Sequence, residues 1–508
     1  MKNGVLTKSK RELFSENMRR DIAFLVIFSF FAAIMLMSDL SVNKFIGFFS
    51  ICIVLLSIYY RDILRYSPEY IRHRKYLLLL GVLLVGTIFG ARLADYFISS
   101  LSQVLGYISP ETAMYILPIP AGALLVTLLF DFHSALFFSF ITSLLAGLWL
   151  AEATAPLYFF IGSLTASFGV IRCKKRSDIL KAGLLVSSIN VLIVTVLLLI
   201  SKELFTGGAV SPLIAAALSG VIVAAIVSLA LPLLEYFFKH TTDISLLELL
   251  DLNQPLMRNL LIAAPGTYHH SIIVGNLVEA AAEAVDVNPL LARVTAYYHD
   301  IGKVKMPEYF VENQAGSVNK HDKLSPHMSS MILISHVKEG IELAKQFKLP
   351  KMVMDIIEQH HGTNLITYFY QKAKSDTGED PPEEEYRYPG PRPQSRVAAL
   401  VMLADAVEAA SRVLKDPTSS RIEALVDKMV NHVFLDGQLN ECELTLKDIS
   451  LIKKHFTFVL TGIFHRRIDY PGFDFDVEKK PGSREGSGDG GGDKGQTEKS
   501  KSRSAKTA

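Results

Sequence analysis

The chain has 508 residues, half of them apolar, and a net charge of only +2 (52 Lys and Arg against 50 Asp and Glu). So much apolar text excludes an ordinary soluble enzyme, and the near-neutral balance gives no basis for binding a nucleic-acid polymer. Three scattered cysteines (Cys52, Cys173 and Cys442) exclude a disulfide framework or a thiolate zinc site, and they place the soluble part in a reducing compartment.

Residues 1–21 form a basic leader with Lys2, Lys8, Lys10, Arg11, Arg19 and Arg20. Between 22 and 240 lie apolar runs near the length needed to span a bilayer, about 17–25 residues. They are Ile22–Met37, Phe45–Tyr60, Tyr76–Ile98, Met114–Phe130, Ser134–Leu150, Ala155–Ile171, Ala182–Ile200 and Leu213–Phe238, which predicts about eight transmembrane helices. Basic residues crowd two of the connections: Arg61, Arg65, Arg72, Arg74 and Lys75 in one, and Arg172, Lys174, Lys175, Arg176 and Lys181 in the other. The alternate connections carry almost none, so the positive-inside rule puts the basic ones in the cytoplasm. The leader is then cytoplasmic, and an even number of spans returns the chain to the cytoplasm before Thr241. No small-residue cleavage site follows the first run, which therefore reads as an anchor and not a signal peptide. Trp149 falls at the predicted outer end of its span, where an amphipathic ring is favoured. Arg92 and Asp95, three apart in the third span, are expected to pair near the outer interface.

From Thr241 the periodicity becomes amphipathic-helical. Ser271–Val285, Pro289–Tyr298, Ser325–Phe347, Pro350–His361, Ser395–Lys415, Thr418–Phe434 and Thr445–Phe458 all read as helices, and strand signals are scarce. The fold class is all-α: a polytopic helical membrane bundle followed by an all-helical domain over 241–474. Ala373–Pro393 is acidic and proline-rich and reads as an exposed loop. The end, 475–508, is Gly/Ser/Lys-rich and reads as a disordered tail.

Eight of the fourteen histidines fall between His269 and His361. An HD dipeptide alone means nothing. Here His299-Asp300 closes a predicted helix, with His270 before it and a further histidine, the pair His360-His361 and Asp405 after it. Imidazole and carboxylate donors suit borderline divalent metals such as Mn, Fe, Zn, Co or Ni. Each would project from a different helix into a bundle core. An aspartate beside a histidine can bridge two cations, and a metal pair acidifies a water and clamps a phosphoryl group, so phosphoester hydrolysis is the natural reaction class. His327 and His336 both follow Pro326; nine residues is two and a half helical turns, so only one can point inward. His269 reads as structural, and His321-Asp322 as a chance pair or a lid element in a polar loop. His240, His432, His455 and His465 read as surface or packing residues, and Glu279, Glu283 and Glu358 as solvated faces. Lys303 either holds a substrate phosphate or is merely solvent-exposed.

The segments PGTYHHS, AYYHDIGK, ISHVKEG, IEQHHGT and VMLADAVEAASR resemble the HD-superfamily metal phosphohydrolases. More narrowly, the chain from the second span to Tyr470 is similar to the membrane-anchored seven-transmembrane HD proteins, the PgpH-type phosphodiesterases of cyclic di-AMP. The resemblance implies two divalent metal ions, Mn or Fe, and hydrolysis of the cyclic dinucleotide to pApA, with Asp300 and Lys303 as catalytic residues. One metal would use His270, His299, Asp300 and Asp405. The other would share Asp300 and take His336, which matches the family text better than His327, with His360 and His361. The implied setting is a bacterial inner membrane, with the HD domain cytoplasmic and partners limited to the cyclic dinucleotide and the bilayer; a homo-oligomer stays open.

The family usually carries a large extracytoplasmic domain after its first span, whereas here only Ser38–Lys44 joins the first two. Relatives that cleave cyclic di-GMP carry a Gly-Tyr-Pro signature after the double histidine and can use a glutamate four residues before the first histidine for a third metal. Here the text after His361 lacks that signature, and the glutamate's position is Gly266. The rival readings are a receptor that binds a nucleotide without cleaving it, and a phosphohydrolase acting on another nucleotide. A transporter would need more buried charge than these spans carry.

Overall fold

The computed structural model describes residues 2–39, 41–67, 70, 74–105, 110–314 and 319–464, with side chains from residue 19 onward except at 74, 102–105 and 110–111. The side chains of Lys2, Lys8, Lys10, Arg11 and Arg74, together with Arg72, His465 and the expected tail over 475–508, therefore lie outside what is described.

Every predicted apolar run lies on a helix. These are α1 (Lys2–Leu36), α2 (Val42–Tyr66), α3 (Arg74–Leu105), α4 (Ile119–Leu129, entered through a tight turn at Met114–Ile116), α5 (Phe132–Leu150), α6 (Ala155–Val170), α7 (Arg176–Ile200) and α8 (Val210–Phe238). Val42–Tyr66, Lys75–Leu101, Phe132–Leu150, Arg176–Ile200 and Gly207–Phe238 are long and apolar enough to cross a membrane, while Met114–Leu129 and Ala155–Val170 are shorter apolar helices. Their sequences are apolar on all sides. In α7, Val186 and Val194 are buried against neighbouring helices, while Leu184, Leu192 and Leu199 face outward, the pattern of a span whose outer face is solvated by lipid. Between α7 and α8, Asn190 Nδ2 donates to Ser219 Oγ at 2.8 Å, a polar contact across two apolar helices.

The expected Arg92–Asp95 pair is not among the described ion pairs. The Arg92 guanidinium donates to the Met37 carbonyl and lies 5.0 Å from the centre of the Trp149 ring. The acceptor lies just past the end of α1 and the π face on α5.

The soluble part comprises α9 (Asp243–Leu249), α10 (Pro255–Ala263), α11 (Pro265–Ala284), α12 (Pro289–Tyr298), α13 (Pro326–Gln346), α14 (Lys351–Gln359), α15 (Thr367–Thr377), α16 (Arg396–Ser411), α17 (Ser419–Leu435) and α18 (Leu446–Ile463). Local chemistry sets many of the starts: Thr242, Asn288, Ser325, Ser395 and Thr418 each accept a backbone N–H three residues on. Among the described residues there is no strand, only an isolated bridge between Leu365 and Arg387.

Arg176, at the start of α7, donates to both Glu248 oxygens at 2.7 and 3.1 Å, and Lys75 donates to the Lys239 carbonyl. Both basic connections thus lie at the bundle end that meets the soluble helices.

Two expectations are corrected. Helix α11 begins at Pro265, six residues earlier than the periodicity predicts, because Pro at the first helical position is pre-set for helix and needs no N–H partner. Ala373–Pro393 is not simply an exposed loop. Residues 382–385 are exposed, but Tyr386 is buried, and Arg387 bonds Glu383, the Thr363 carbonyl and Asp436, pinning the segment to the domain.

Candidate metal centre

Helix α12 ends at Tyr298, leaving His299 and Asp300 at the mouth of a tight turn over Ile301–Lys305. Gly302 lets α13 cross directly above: a Cβ there would lie 1.8 Å from the His336 carbonyl oxygen. That close approach brings His336 down beside Asp300. His360 ends α14 with His361 following, His270 lies within α11, and Asp405 lies on α16. His270, His299, Asp300, His336 and His360 are all buried.

The carboxylate of Asp300 sits between two groups. Its Oδ2 is 3.6 Å from His270 Nε2 and 3.3 Å from His299 Nε2, and Asp405 Oδ1 lies 3.0 Å from His270 Nε2. Its Oδ1 is 3.3 Å from His336 Nε2 and 3.6 Å from His360 Nε2. In each of the sets His270/His299/Asp300/Asp405 and Asp300/His336/His360/His361, the ligand atoms lie within 4.8 Å of one another. Both oxygens of Asp300 and the Nε2 atoms of His270 and His299 have no aligned hydrogen-bond partner. They converge on common points without bonding one another.

The tautomers support the same reading. His299 Nδ1 is 2.7 Å from the Ala296 carbonyl, His360 Nδ1 is 2.8 Å from that of Ile357, and His336 Nδ1 bonds that of Leu333. A carbonyl only accepts, so each Nδ1 carries the proton. The Nε2 atoms of His336 and His360 are 3.3 Å apart. Neutral imidazoles so arranged direct two lone pairs at each other, a repulsive contact that a cation between them converts into ligation. The donor set therefore fits divalent metal ions.

Charge is unevenly distributed. Burial opposes ionisation of Asp300, but Lys303 and His299 hold its carboxyl well below the usual range. Burial likewise opposes a proton on His299, yet Asp300 and Asp405 lift it to about 10, and Asp405 and Glu408 raise His270. In contrast, burial drives His336 down to about 3, and burial with the neighbouring imidazoles lowers His361.

Lys303 fits neither alternative in full. Its ammonium is largely buried, 2.7 Å from Asp300 Oδ2 and 2.9 Å from Glu312 Oε1. His327 pairs with Glu385 at 3.5 Å on the opposite face of α13 from His336. His269 is exposed. His321 is buried and bonds the Tyr309 carbonyl, a packing role away from the cluster. His432, Glu283 and Glu358 are exposed, and Glu279 pairs with Arg293.

Three residues at the site were missed by sequence reasoning. Glu408, buried on α16, bonds His270 Nδ1. Glu312 accepts from Thr267 Oγ1 at 3.0 Å as well as from Lys303. Tyr388 stacks on His361 with ring centroids 4.2 Å apart. Spacing in VMLADAVEAASR does place Glu408 one turn beyond Asp405, on the same helix face. Nothing local marked the other two.

Fold and site together define a helical HD domain, built to hold divalent metal, on a polytopic membrane bundle. Residues 42–242 match the family described as a 7TM receptor with intracellular HD hydrolase, and residues 267–410 match the HD domain. The chain belongs to this family of membrane-anchored HD proteins. Seven apolar helical segments, α2 to α8, lie within the first match.

The cyclic-di-AMP phosphodiesterase PgpH of Bacillus subtilis (strain 168) is 43% identical over 365 residues, covering 70% of this chain and 51% of that protein. Its counterpart from Listeria monocytogenes serotype 1/2a (strain 10403S) is 40% identical over 346 residues, covering 67% and 48%. The crystal structure of the L. monocytogenes PgpH HD domain in complex with cyclic di-AMP is 46% identical, covering 43% of this chain and 100% of that one, with a TM-score of 0.41. The chain spans about half the length of the curated relatives it matches.

Proposed function

We propose that the protein is a membrane-anchored, metal-dependent phosphodiesterase that hydrolyses cyclic di-AMP to pApA. The observation that carries this reading is the position of Asp300, one oxygen toward each of two overlapping donor sets. The substrate is carried over from the two relatives, whose sequences match across both the membrane and HD regions. In this reading His270, His299, Asp300 and Asp405 hold one metal, and Asp300, His336, His360 and His361 hold the other, with Mn or Fe as the ions. Bound there, the metal pair supplies a nucleophilic water at neutral pH and charge for the phosphoryl oxygens.

The chain's own residues do the remainder. Asp300 fixes the spacing of the two positions. Lys303, kept cationic by Asp300 and Glu312 despite its burial, presents an ammonium to the phosphodiester anion. Water adds to phosphorus, the bond to the ribose 3′-oxygen breaks, and that oxygen leaves with a proton, giving a linear dinucleotide with a 5′-phosphate.

We place residues 22–240 in a bacterial inner membrane, with the leader and the domain over 241–474 in the cytoplasm. The contacts of Arg176 and Lys75 put both basic connections on the HD side, which supports that orientation.

The test is turnover by the full chain in detergent micelles with Mn²⁺ or anaerobic Fe²⁺, offered cyclic di-AMP, cyclic di-GMP and pApA side by side. Conversion of cyclic di-AMP to pApA is expected, and Asp300→Ala should lower it by more than about 100-fold together with metal content. Tight binding of cyclic di-AMP without cleavage would instead make the protein a receptor.

A further inference from the structure

His270 differs from the other histidines of the cluster in what stands behind it. His299, His336 and His360 each give the Nδ1 proton to a backbone carbonyl three residues earlier in their own helix. His270 gives its proton to a carboxylate from another helix, Glu408 Oε2 on α16. Glu408 is 1% exposed, so its charge is buried against the ring. Arg412, one turn on, donates to both Glu408 oxygens at 2.8 and 3.0 Å. The Arg412 side chain is 35% exposed, so water screens part of its charge.

Helix α16 thus grips one imidazole from both sides. Asp405 faces His270 Nε2 at 3.0 Å, and Glu408 holds Nδ1. A carboxylate behind a metal-ligating imidazole fixes its tautomer and orientation and makes the ring a stronger donor; losing such a partner typically costs 10–100-fold in metal affinity. Among the described residues no carboxylate hydrogen-bonds an imidazole of the second set in this way. Apart from the shared Asp300, the carboxylate paired with that set is Asp405, whose Oδ2 is 3.6 Å from His361 Nδ1.

We infer that Glu408 is a positioning residue that makes the His270/His299/Asp300/Asp405 set the tighter of two unequal cation positions, so that the site fills in order. This rests on the metal-site reading above and not on the identity of the substrate.

The test is a titration of chelator-stripped full-length protein in detergent micelles with Mn²⁺, following free Mn²⁺ by electron paramagnetic resonance. The wild type is expected to take up two equivalents in separated steps. Glu408→Gln, which keeps an acceptor but removes the charge, should weaken the tighter step about 10–100-fold and leave the weaker one in place. Two equal steps in the wild type, an unchanged isotherm in the variant, or equal weakening of both steps would overturn the inference. Should Glu408→Gln fail to fold, His361→Ala decides. Its side chain is 18% exposed and belongs to the second set alone, so the tight step should survive, and its loss would overturn the inference. Ordered filling without cleavage of cyclic di-AMP would support this inference while removing the proposed function; no uptake at all would remove both.

Discussion

The two halves of the donor cluster share Asp300 and little else. Around His270 and His299 stand Asp405 and Glu408, and burial there is overcome by charge: both imidazoles are held protonated above their ordinary range. Around His336 and His361 burial prevails and holds both neutral, and among the described residues neither ring hydrogen-bonds a carboxylate as His270 does Glu408. One half competes with protons for its cation and offers strong anionic donors. The other is ready to ligate but, beyond the shared Asp300, offers only imidazoles. A dinuclear centre assembled this way has one ion that is part of the architecture and one that is closer to exchange.

The sharpest way to break the contrast is His336→Ala. It removes a donor from the imidazole-rich half only, so the protein should keep one equivalent of Mn²⁺ while turnover drops by more than about 100-fold. Metal analysis after gel filtration checks it; loss of both equivalents would mean the halves are not separable.

A second test uses pH on cation-free protein. His299, raised to about 10, contributes stability that is complete below the unfolded imidazole value of about 6.5 and is lost as pH rises through about 10. His336, lowered to about 3, acts oppositely. Below about 6.5 the unfolded chain takes a proton that the native ring refuses, so stability falls from there toward about 3. Thermal melting should therefore peak between the two limbs, and Mn²⁺ should flatten the alkaline limb by replacing the proton. An alkaline limb indifferent to Mn²⁺ would contradict the assignment.

The smallest effect is expected at Tyr388. Its stack on His361 is worth about 0.5–1.5 kcal/mol. Tyr388→Ala should thus weaken the second Mn²⁺ step by up to about tenfold without touching the first, and Tyr388→Phe should behave as wild type. Calorimetric titration separates the two.

The helical architecture and the clustering of the candidate donors were legible from short-range pattern and family text: apolar periodicity, the His299-Asp300 and His360-His361 pairs at helix ends, and the segment ISHVKEG that favours His336 over His327. What escaped depends on contacts far apart in the chain. Glu408 looks like any acid on a helix until α11 is laid beside α16. Glu312 becomes part of the site only when the turn over 311–313 folds back onto Thr267. Tyr388 sits in text whose composition reads as solvent-exposed, and Arg387 reaching Asp436, 49 residues on, is what turns it inward. Lys303 is not solvent-exposed, because its ammonium bonds both Asp300, three residues before it, and Glu312, whose turn the local text does not place beside it. Arg92 also escaped, since its partners Met37, just past α1, and Trp149, on α5, are far away in the chain.

Gly266 also bears on how such centres can diverge. A Cβ at this position would lie 1.9 Å from the Glu312 carbonyl oxygen, so the turn carrying Glu312 occupies the space that any larger side chain needs. A glutamate at this position would need that turn to run elsewhere. Moving between the two designs therefore takes a coordinated change in two segments 46 residues apart. A single Gly266→Glu substitution would disturb the partner of Lys303 before it could offer a new ligand, leaving a valley between two functional peaks that stepwise mutation has to cross.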